Sequence, residues 1–557
     1  MARPPLLQRR AWPVLKKGTG DFLRDELATI EQHAHALVFS SHNGAKYLFD
    51  AATATLHPWP WGIGSSALDG LYDTPDERLP TYLHDFGAPR ELARYVLLWR
   101  EKAGAFGHPN RPSNRCSPMS CGGAGAEGEA SCGLWSEGRP KQPPPLRTAL
   151  PTIFGNLILV VTDSCNLRCR YCLLGAGSGF KPLRSEHMSE EVAKRAVDHY
   201  IALNDTPAFR AMHNRKINIA FFGGEPLLRG CLIRQVVDYS KALEKPGCGY
   251  WIDYSLTSNL THLPDDLAAF LVERDVGIQV SLDGPQHVHD SCRVDAGGNG
   301  SFCTVMRNLE KLRKLDAAYF ARRVTCVVTV NGHSDLLAIH EFLESGNPVI
   351  PPVGFVGLIR DLERSEFHRR SPYDVARFWQ QYCELMEEYL RRLQSGIPVV
   401  RGQFLYRLFE EGLSVLDGRT MQHGTPARSS YTGTCQPGRR LAVSTDGHFH
   451  ICERINEGFP LGDVQSGLDL QKCAELLRRY YQSLPDCDRC WARSACGTCM
   501  AVNCSDGGFE FGARCDHFRV ELAHRLRLLC TVRELRPDSL STGDPLIDRM
   551  STLEIPA

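Results

Sequence analysis

The stretch Cys165-Asn166-Leu167-Arg168-Cys169-Arg170-Tyr171-Cys172 follows the apolar run 157–161. Three thiolates in a Cys-x3-Cys-x2-Cys spacing can wrap one corner of an iron–sulfur cube and leave its fourth iron without a protein ligand. The run before the loop has strand length, so the thiols stand at a strand exit, where an α/β sheet presents its site. Beyond Pro151 short apolar runs alternate with amphipathic stretches. Strands are expected at 157–162, 217–222, 250–257, 277–282, 324–330 and 349–358, with helices at 189–204, 228–243, 264–273, 302–315 and 334–345. Six strands with intervening helices imply a parallel sheet, with further helices at 373–396 and 403–417.

At 557 residues the chain exceeds a single core, so several domains are expected. Lys+Arg and Asp+Glu both number 64, and a net charge of zero gives no field for nucleic acid or a polybasic membrane contact. No apolar run approaches the roughly 20 residues of a membrane span, and the start lacks a clear signal-peptide core, so the expectation is a cytoplasmic protein. Twenty-two cysteines in such a chain argue for metal or redox use over a disulfide framework.

Between His35 and Trp59 apolar and polar residues alternate over two or three short strands, with His42-Asn43-Gly44 as a turn signal and helix expected over 79–101. Residues 1–103 thus read as a small α+β, winged-helix-like module. Residues 104–150 are rich in Gly, Pro and Ser and read as a linker, in which Cys116, Cys121 and Cys132 are incidental thiols or metal ligands. A core over 151–360, a helical bridge over 361–430, a cysteine-dense domain over 431–530 and a tail over 531–557 complete the division.

Phe222-Gly223-Gly224-Glu225-Pro226 follows the second strand, where glycines let backbone groups approach a ligand closely. Thr257-Ser258-Asn259 ends the third strand and Ser281-Leu282-Asp283-Gly284-Pro285 the fourth, with Arg293 downstream. The cysteine spacing, the aromatic Tyr171 before the last cysteine and the place of the loop after a first strand resemble the radical S-adenosylmethionine (SAM) enzymes. That resemblance implies a partial (β/α)6 TIM-like barrel and a [4Fe–4S] cluster on Cys165, Cys169 and Cys172 whose open iron chelates SAM. It further implies electron transfer that cleaves SAM to a 5′-deoxyadenosyl radical, with the protein positioning cofactor and substrate. By the same resemblance Tyr171, Gly223, Gly224, Glu225, Ser258, Asn259 and Ser281 form the SAM pocket. Arg293 pairs with the SAM carboxylate or makes a structural salt bridge.

Cys435, Gly447 and Cys452, then Cys487, Cys490, Cys496, Cys499, Cys504 and Cys515, form paired units with downstream partners. Zinc and iron–sulfur both suit such units. The order Cys-x11-Gly-x4-Cys, then Cys-x2-Cys-x5-Cys, resembles the SPASM domain, which implies two auxiliary [4Fe–4S] clusters. Cys487, Cys490, Cys496 and Cys515 would hold one, and Cys435, Cys452 and Cys499 the other. The Cys496-x2-Cys499 spacing is one residue shorter than the family's, which makes Cys504 an alternative to Cys499. The second cluster lacks an evident fourth ligand and either carries an open iron or is closed by another group.

Cys452-Glu453-Arg454 and Cys490-Trp491-Ala492 resemble the peptide-thioether maturases. In the related sulfatase maturases an acid after this cysteine acts as a base. Glu453 occupies that position and serves as base or in an ion pair with Arg454 or Arg439. Lys46-Tyr47-Leu48-Phe49-Asp50 resembles a strand of the modules that dock a precursor-peptide leader by strand addition. The expectation is a radical SAM/SPASM maturase of a ribosomally made peptide that forms a Cys-to-carbon thioether and is supplied by a flavodoxin- or ferredoxin-type reductant. Carbon–carbon crosslinking, formylglycine formation on a sulfatase and a non-catalytic electron-transfer scaffold are the alternatives.

Overall fold

The computed structural model describes residues 31–32, 36–50, 55–59, 71, 74–85, 92–93, 96–97, 154–172, 185–210, 215–244, 250–358, 375–413, 416, 440–454, 458–484, 487, 490–492, 495–496, 499–501, 503–505, 508–511 and 514–535. The expected linker with Cys116, Cys121 and Cys132, and Cys435, lie outside these residues.

Four short antiparallel strands, β1 (Glu31–Gln32), β2 (Ala36–Ser40), β3 (Lys46–Asp50) and β4 (Thr55–Pro58), lie side by side in that order. The turn between β2 and β3 closes through Ser41 N–H to the Ala45 carbonyl at 2.8 Å and places Gly44 at φ +92°, which a residue without Cβ adopts freely. Strand β3 pairs along its length with β2 on one side and β4 on the other. The strand read from sequence as peptide-docking is therefore interior, and a strand added to this sheet would have to pair with β4 or β1. The helix Leu79–Asp85 follows.

The core is an eight-stranded sheet. Strands β5 (Asn156–Thr162), β6 (Arg215–Gly223), β7 (Tyr250–Ser258), β8 (Gly277–Ser281), β9 (Val324–Val330) and β10 (Val353–Leu358) are parallel neighbours in sequence order. Five helices between them, Glu190–Asn204, Gly230–Leu243, Asp265–Glu273, Phe302–Leu315 and Leu336–Leu343, match the apolar periodicity. Side-chain caps start two of these: Ser189 Oγ accepts from Val192 N and Asp335 accepts from Ala338 N. Alternate strand residues Leu157, Ile219, Phe221, Tyr254, Leu256, Ile278, Val280 and Val328 are buried among helix residues such as Val197, Val236, Leu271 and Leu309. The opposite face, aligned by register, carries Asn218, Ser255, Thr257, Gln279, Thr325 and Thr329. A closed barrel fills its interior with bulky branched side chains. This polar face, with Gln279 exposed, is instead suited to lining a cavity.

One feature departs from the sequence expectation. Strand β11 (Arg440–Val443), in the region read as a separate metal-held domain, pairs in parallel with β5 and extends the core sheet. Strand β12 (Phe449–His450) folds back on it. Four residues with the pattern RLAV are too short to announce which sheet they join. The small hairpins β13 (Gly462–Asp463) with β14 (Gly467–Leu468) and β15 (Cys504–Ser505) with β16 (Gly508–Phe509) follow, as do the helices Leu470–Ser483 and Arg514–Leu535. The last helix crosses the expected 530/531 boundary and returns to the N-terminal sheet. Tyr47 Oη and Asn43 Nδ2 donate to Glu534 at 3.0 and 2.7 Å, and Arg527 Nε donates to the Ser40 carbonyl at 3.1 Å.

Candidate active site

The cysteine loop leaves β5 and lies along residues 292–295. Arg168 N–H donates to the Val294 carbonyl at 2.6 Å, Arg170 N–H to the Cys292 carbonyl at 2.9 Å, and Leu167 bridges Asp295. These bonds fix the loop backbone between its cysteines. The side of the loop near Cys165 is held by Leu167 N–H to Sγ at 3.4 Å and Asn259 Nδ2 to Sγ at 3.8 Å. Burial pushes the Cys165 thiol up to about 11 and Cys169 to about 12, and in each case Cys172 raises it further. Cys172 N–H donates to the Cys169 carbonyl at 3.0 Å, which closes the turn between the last two cysteines.

Gly223 and Gly224 pack against the start of this loop. Gly224 N–H donates to the Thr162 carbonyl and Glu225 N–H to the Ser164 carbonyl, both at 2.9 Å. A Cβ on Gly224 would lie 2.2 Å from the Ser164 carbonyl oxygen, and one on Gly223, at φ +144°, 2.2 Å from that of Thr162. Backbone contact between two strand exits therefore requires both glycines. Glu225 is buried. Its Oε1 accepts from Leu227 N and Ser258 Oγ at 3.0 and 2.8 Å, and Oε2 accepts from Asn259 N at 2.7 Å. Burial raises this carboxyl to about 7 against those bonds. Asn259 Nδ2 continues to Asn166 at 3.0 Å, and the next residue, Leu260, is held at φ +54°, a region unfavourable for a branched side chain. Gly223, Gly224, Glu225, Ser258 and Asn259 thus form one connected arc with Cys165. Ser281 stands half-buried at the end of β8, in register with Val327.

The opposite side of the loop is organised by a residue the sequence reading did not select. Asp283 accepts from Tyr171 Oη, from Arg293 Nε and Nη2 at 2.8 and 3.1 Å, and from Thr329 N at 2.9 Å. Arg293 is thus an ion-pair partner in the described structure, with its guanidinium over the Tyr171 ring at 5.3 Å. His289 is buried: Asp283 N–H approaches its Nδ1 at 3.4 Å, its Nε2 lies 3.0 Å from Ser301 Oγ, and that hydroxyl donates to the Arg293 carbonyl at 2.9 Å. Burial, with the charge of Arg293 behind it, lowers His289 to about 4. The only sequence signal for Asp283 was an acid between a strand end and Gly-Pro.

Residues 159–341 match the Radical SAM superfamily. The chain is an enzyme that carries a radical SAM domain. A cysteine-type anaerobic sulfatase-maturating enzyme of Clostridium novyi is 26% identical over 308 residues, 53% of this chain and 72% of its own length. The corresponding enzyme of Clostridium perfringens is 24% identical over 378 residues, 65% of this chain and 94% of its own. The solved structure of native anSMEcpe with bound AdoMet and Cp18Cys peptide superposes with a TM-score of 0.51 at 20% identity, covering 68% of this chain and 99% of that one. At that identity the likeness is one of fold.

A radical SAM domain implies a [4Fe–4S] cluster and SAM, and the donor set fits them. Three adjacent thiols, backbone-fixed and beside a Gly-Gly turn, match a three-cysteine ligation with one open iron. Among the described residues no three His, Cys, Asp or Glu side chains converge on a single-ion site. In a cube each thiolate holds a different iron, so the three need not meet at one point. Iron must displace the thiol protons that burial retains.

In the C-terminal region Cys487, Cys490, Cys496, Cys499 and Cys515 are half-buried, while Cys452 and Cys504 are buried. Cys490 N–H donates to the Cys487 carbonyl at 3.2 Å, closing the turn of that pair. Cys504 stands on β15 opposite Phe509, and Trp491 packs edge-on to Phe49 of β3. Glu453 is half-buried, with its side chain 6% exposed and Oε1 3.3 Å from Arg440 and 3.6 Å from Arg454. Its Oε2 is buried without a hydrogen-bond partner among the described residues. Its ion-pair partner Arg440 pairs with Asn156 at the start of β5. The cysteine loop leaves the other end of β5, six residue steps or roughly 20 Å away. Thr445 Oγ1 ties the top of the hairpin to Asp163 Oδ2 at 3.1 Å.

Proposed function

We propose that this radical SAM enzyme is a maturase that oxidises a side chain of a ribosomally made peptide, joining a cysteine sulfur to a carbon in a thioether. The observation that carries the peptide reading is the N-terminal four-stranded antiparallel sheet of β1 to β4, which precedes the radical SAM domain in the chain. A small sheet of this kind can take an extended peptide as an added strand by main-chain hydrogen bonds, with pockets for alternate side chains. The Clostridium perfringens relative is nearly accounted for by 65% of this chain, so about a third of the chain serves something beyond what the two share.

When bound, the cluster and SAM supply a 5′-deoxyadenosyl radical. This chain's residues bind and orient. Gly223 to Glu225 present backbone groups beside the loop, Glu225 holds the exits of β6 and β7 together through Ser258 and Asn259, and the polar face of β6 to β9 offers amides and hydroxyls to a peptide main chain. Thioether formation removes a hydrogen atom from carbon and a proton and an electron from sulfur. Glu453, whose Oε2 is buried without a partner among the described residues, suits the proton as the end of a relay, since it stands at the far end of β5 from the loop and does not touch the thiol. The auxiliary clusters suit the electron, with Cys487, Cys490, Cys496 and Cys515 as ligands of one, and Cys435, Cys452 and Cys499 of the other. A flavodoxin- or ferredoxin-type protein suits the reduction of the first cluster.

Formylglycine formation is the second reading. It is favoured by the two clostridial relatives named above and by an acid directly after Cys452. Anaerobic reconstitution with SAM and dithionite, followed by mass spectrometry of a short cysteine-bearing peptide encoded beside this gene, separates the two. Loss of two hydrogens per bond supports the thioether, and exchange of thiol sulfur for a carbonyl oxygen in a sulfatase peptide supports formylglycine. No 5′-deoxyadenosine in either case rejects both.

A further inference from the structure

Asp283 uses both carboxylate oxygens fully. Oδ2 accepts from Tyr171 Oη and Arg293 Nε, and Oδ1 from Arg293 Nη2 and Thr329 N. Asp283 is 2% exposed, Arg293 7% and Tyr171 8%, so the pair and its phenol are shut off from water. Replacing a buried ion pair by apolar groups is often neutral or stabilising, which makes fixed geometry a better account of such a pair than stability. Here the geometry links four parts of the chain: the cysteine loop, the exit of β8, the segment after the helix Gln286–Cys292, and β9.

The link bears on the cluster loop from two directions. Tyr171 lies between Cys169 and Cys172, and its hydroxyl is anchored at Asp283. The backbone of Arg168 and Arg170 is anchored at Val294 and Cys292, on either side of Arg293. His289 and Ser301 close the circuit from the Asp283 amide to the Arg293 carbonyl. A shift of the Asp283 carboxylate would therefore move the loop and the guanidinium together.

We propose that Asp283 is a positioning residue of the SAM site: through Tyr171 and Arg293 it sets the orientation of the Cys169–Cys172 half of the loop relative to the one buried guanidinium it anchors beside that loop. The inference rests on the radical SAM reading of the site. Asp283→Asn keeps the shape, removes the charge and faces an amide N–H₂ toward donors. Tyr171→Phe removes one hydrogen bond only.

The test uses the full chain, reconstituted anaerobically, with iron content, the SAM-induced change in the electron paramagnetic resonance spectrum of the reduced cluster, and KM and kcat for 5′-deoxyadenosine formation. Asp283→Asn is expected to hold wild-type iron, to raise KM for SAM on the order of tenfold or more with a smaller change in kcat, and to alter the SAM-induced spectrum. Tyr171→Phe is expected to raise KM a few-fold, the worth of one hydrogen bond. Wild-type KM and spectrum in Asp283→Asn overturn the proposal. If that variant loses its fold or its iron, Tyr171→Phe decides: a raised KM supports the proposal, and an unchanged KM and spectrum overturn it. Failure of the wild-type chain to form 5′-deoxyadenosine would overturn the radical SAM reading and the role of Asp283 with it, whereas a working wild type beside an unaffected Asp283→Asn overturns the role alone.

Discussion

Two single residues test the site most directly. A Cβ at Gly224 would meet the Ser164 carbonyl at 2.2 Å, a backbone atom that cannot rotate away. Gly224→Ala is expected to cost about 2 kcal/mol or more, seen as a lower thermal midpoint and reduced iron uptake by the Cys165 loop; normal uptake would show that the two strand exits can separate freely. Glu453→Gln addresses the proton. Product formation on the peptide is expected to fall about 10²- to 10⁴-fold, while 5′-deoxyadenosine made without peptide stays at the wild-type level. Undiminished product would leave Glu453 as an ion-pair partner of Arg440 and Arg454. The glycines and cysteines were readable because each carries its chemistry in its own type and spacing. Asp283 was not, because its role depends on partners 112, 10 and 46 positions away.

Among the elements, the N-terminal sheet carries a pH dependence of its own. Burial lowers His57 from 6.5 to about 3, and burial with the charges of Arg527 and His524 lowers His42 to about 4. Both are held neutral in the fold and would charge on unfolding, so their contribution is complete above pH 6.5 and is lost as pH falls towards 4 and then 3. Hydrogen-exchange protection of β2 to β4 in the full chain is expected to decline over that window. His42→Gln with His57→Gln should flatten the decline, and an equally steep profile in the double variant would assign it to other groups. The strands themselves were legible as alternation around His42-Asn43-Gly44. Which strand is interior was not, since pairing on both sides of Lys46–Asp50 is a property of the sheet.

For the whole molecule, the β5–β11 pairing and the Asp163–Thr445 bond tie residues 440–445 to the core sheet, and the helix Arg514–Leu535 bonds to β2 and β3 of the N-terminal sheet. The auxiliary assignment is tested at this scale. A Cys165→Ala/Cys169→Ala/Cys172→Ala variant, reconstituted anaerobically, is expected to keep about eight irons if two [4Fe–4S] cubes remain. Bound zinc, or no iron, would set the assignment aside. No helix among the described residues is long and apolar enough to cross a membrane.

The sequence by itself determined the chemistry of initiation and the βα alternation, because thiolate spacing, glycine at strand ends and apolar periodicity are local properties. Only the tertiary structure decided how that chemistry is held. It placed Asp283 beneath the loop, turned Arg293 into its ion-pair partner, joined β11 to β5 and set Glu453 at the far end of that strand from Cys165. Each of these depends on contacts between residues distant in sequence, which burial and register select and no short motif records.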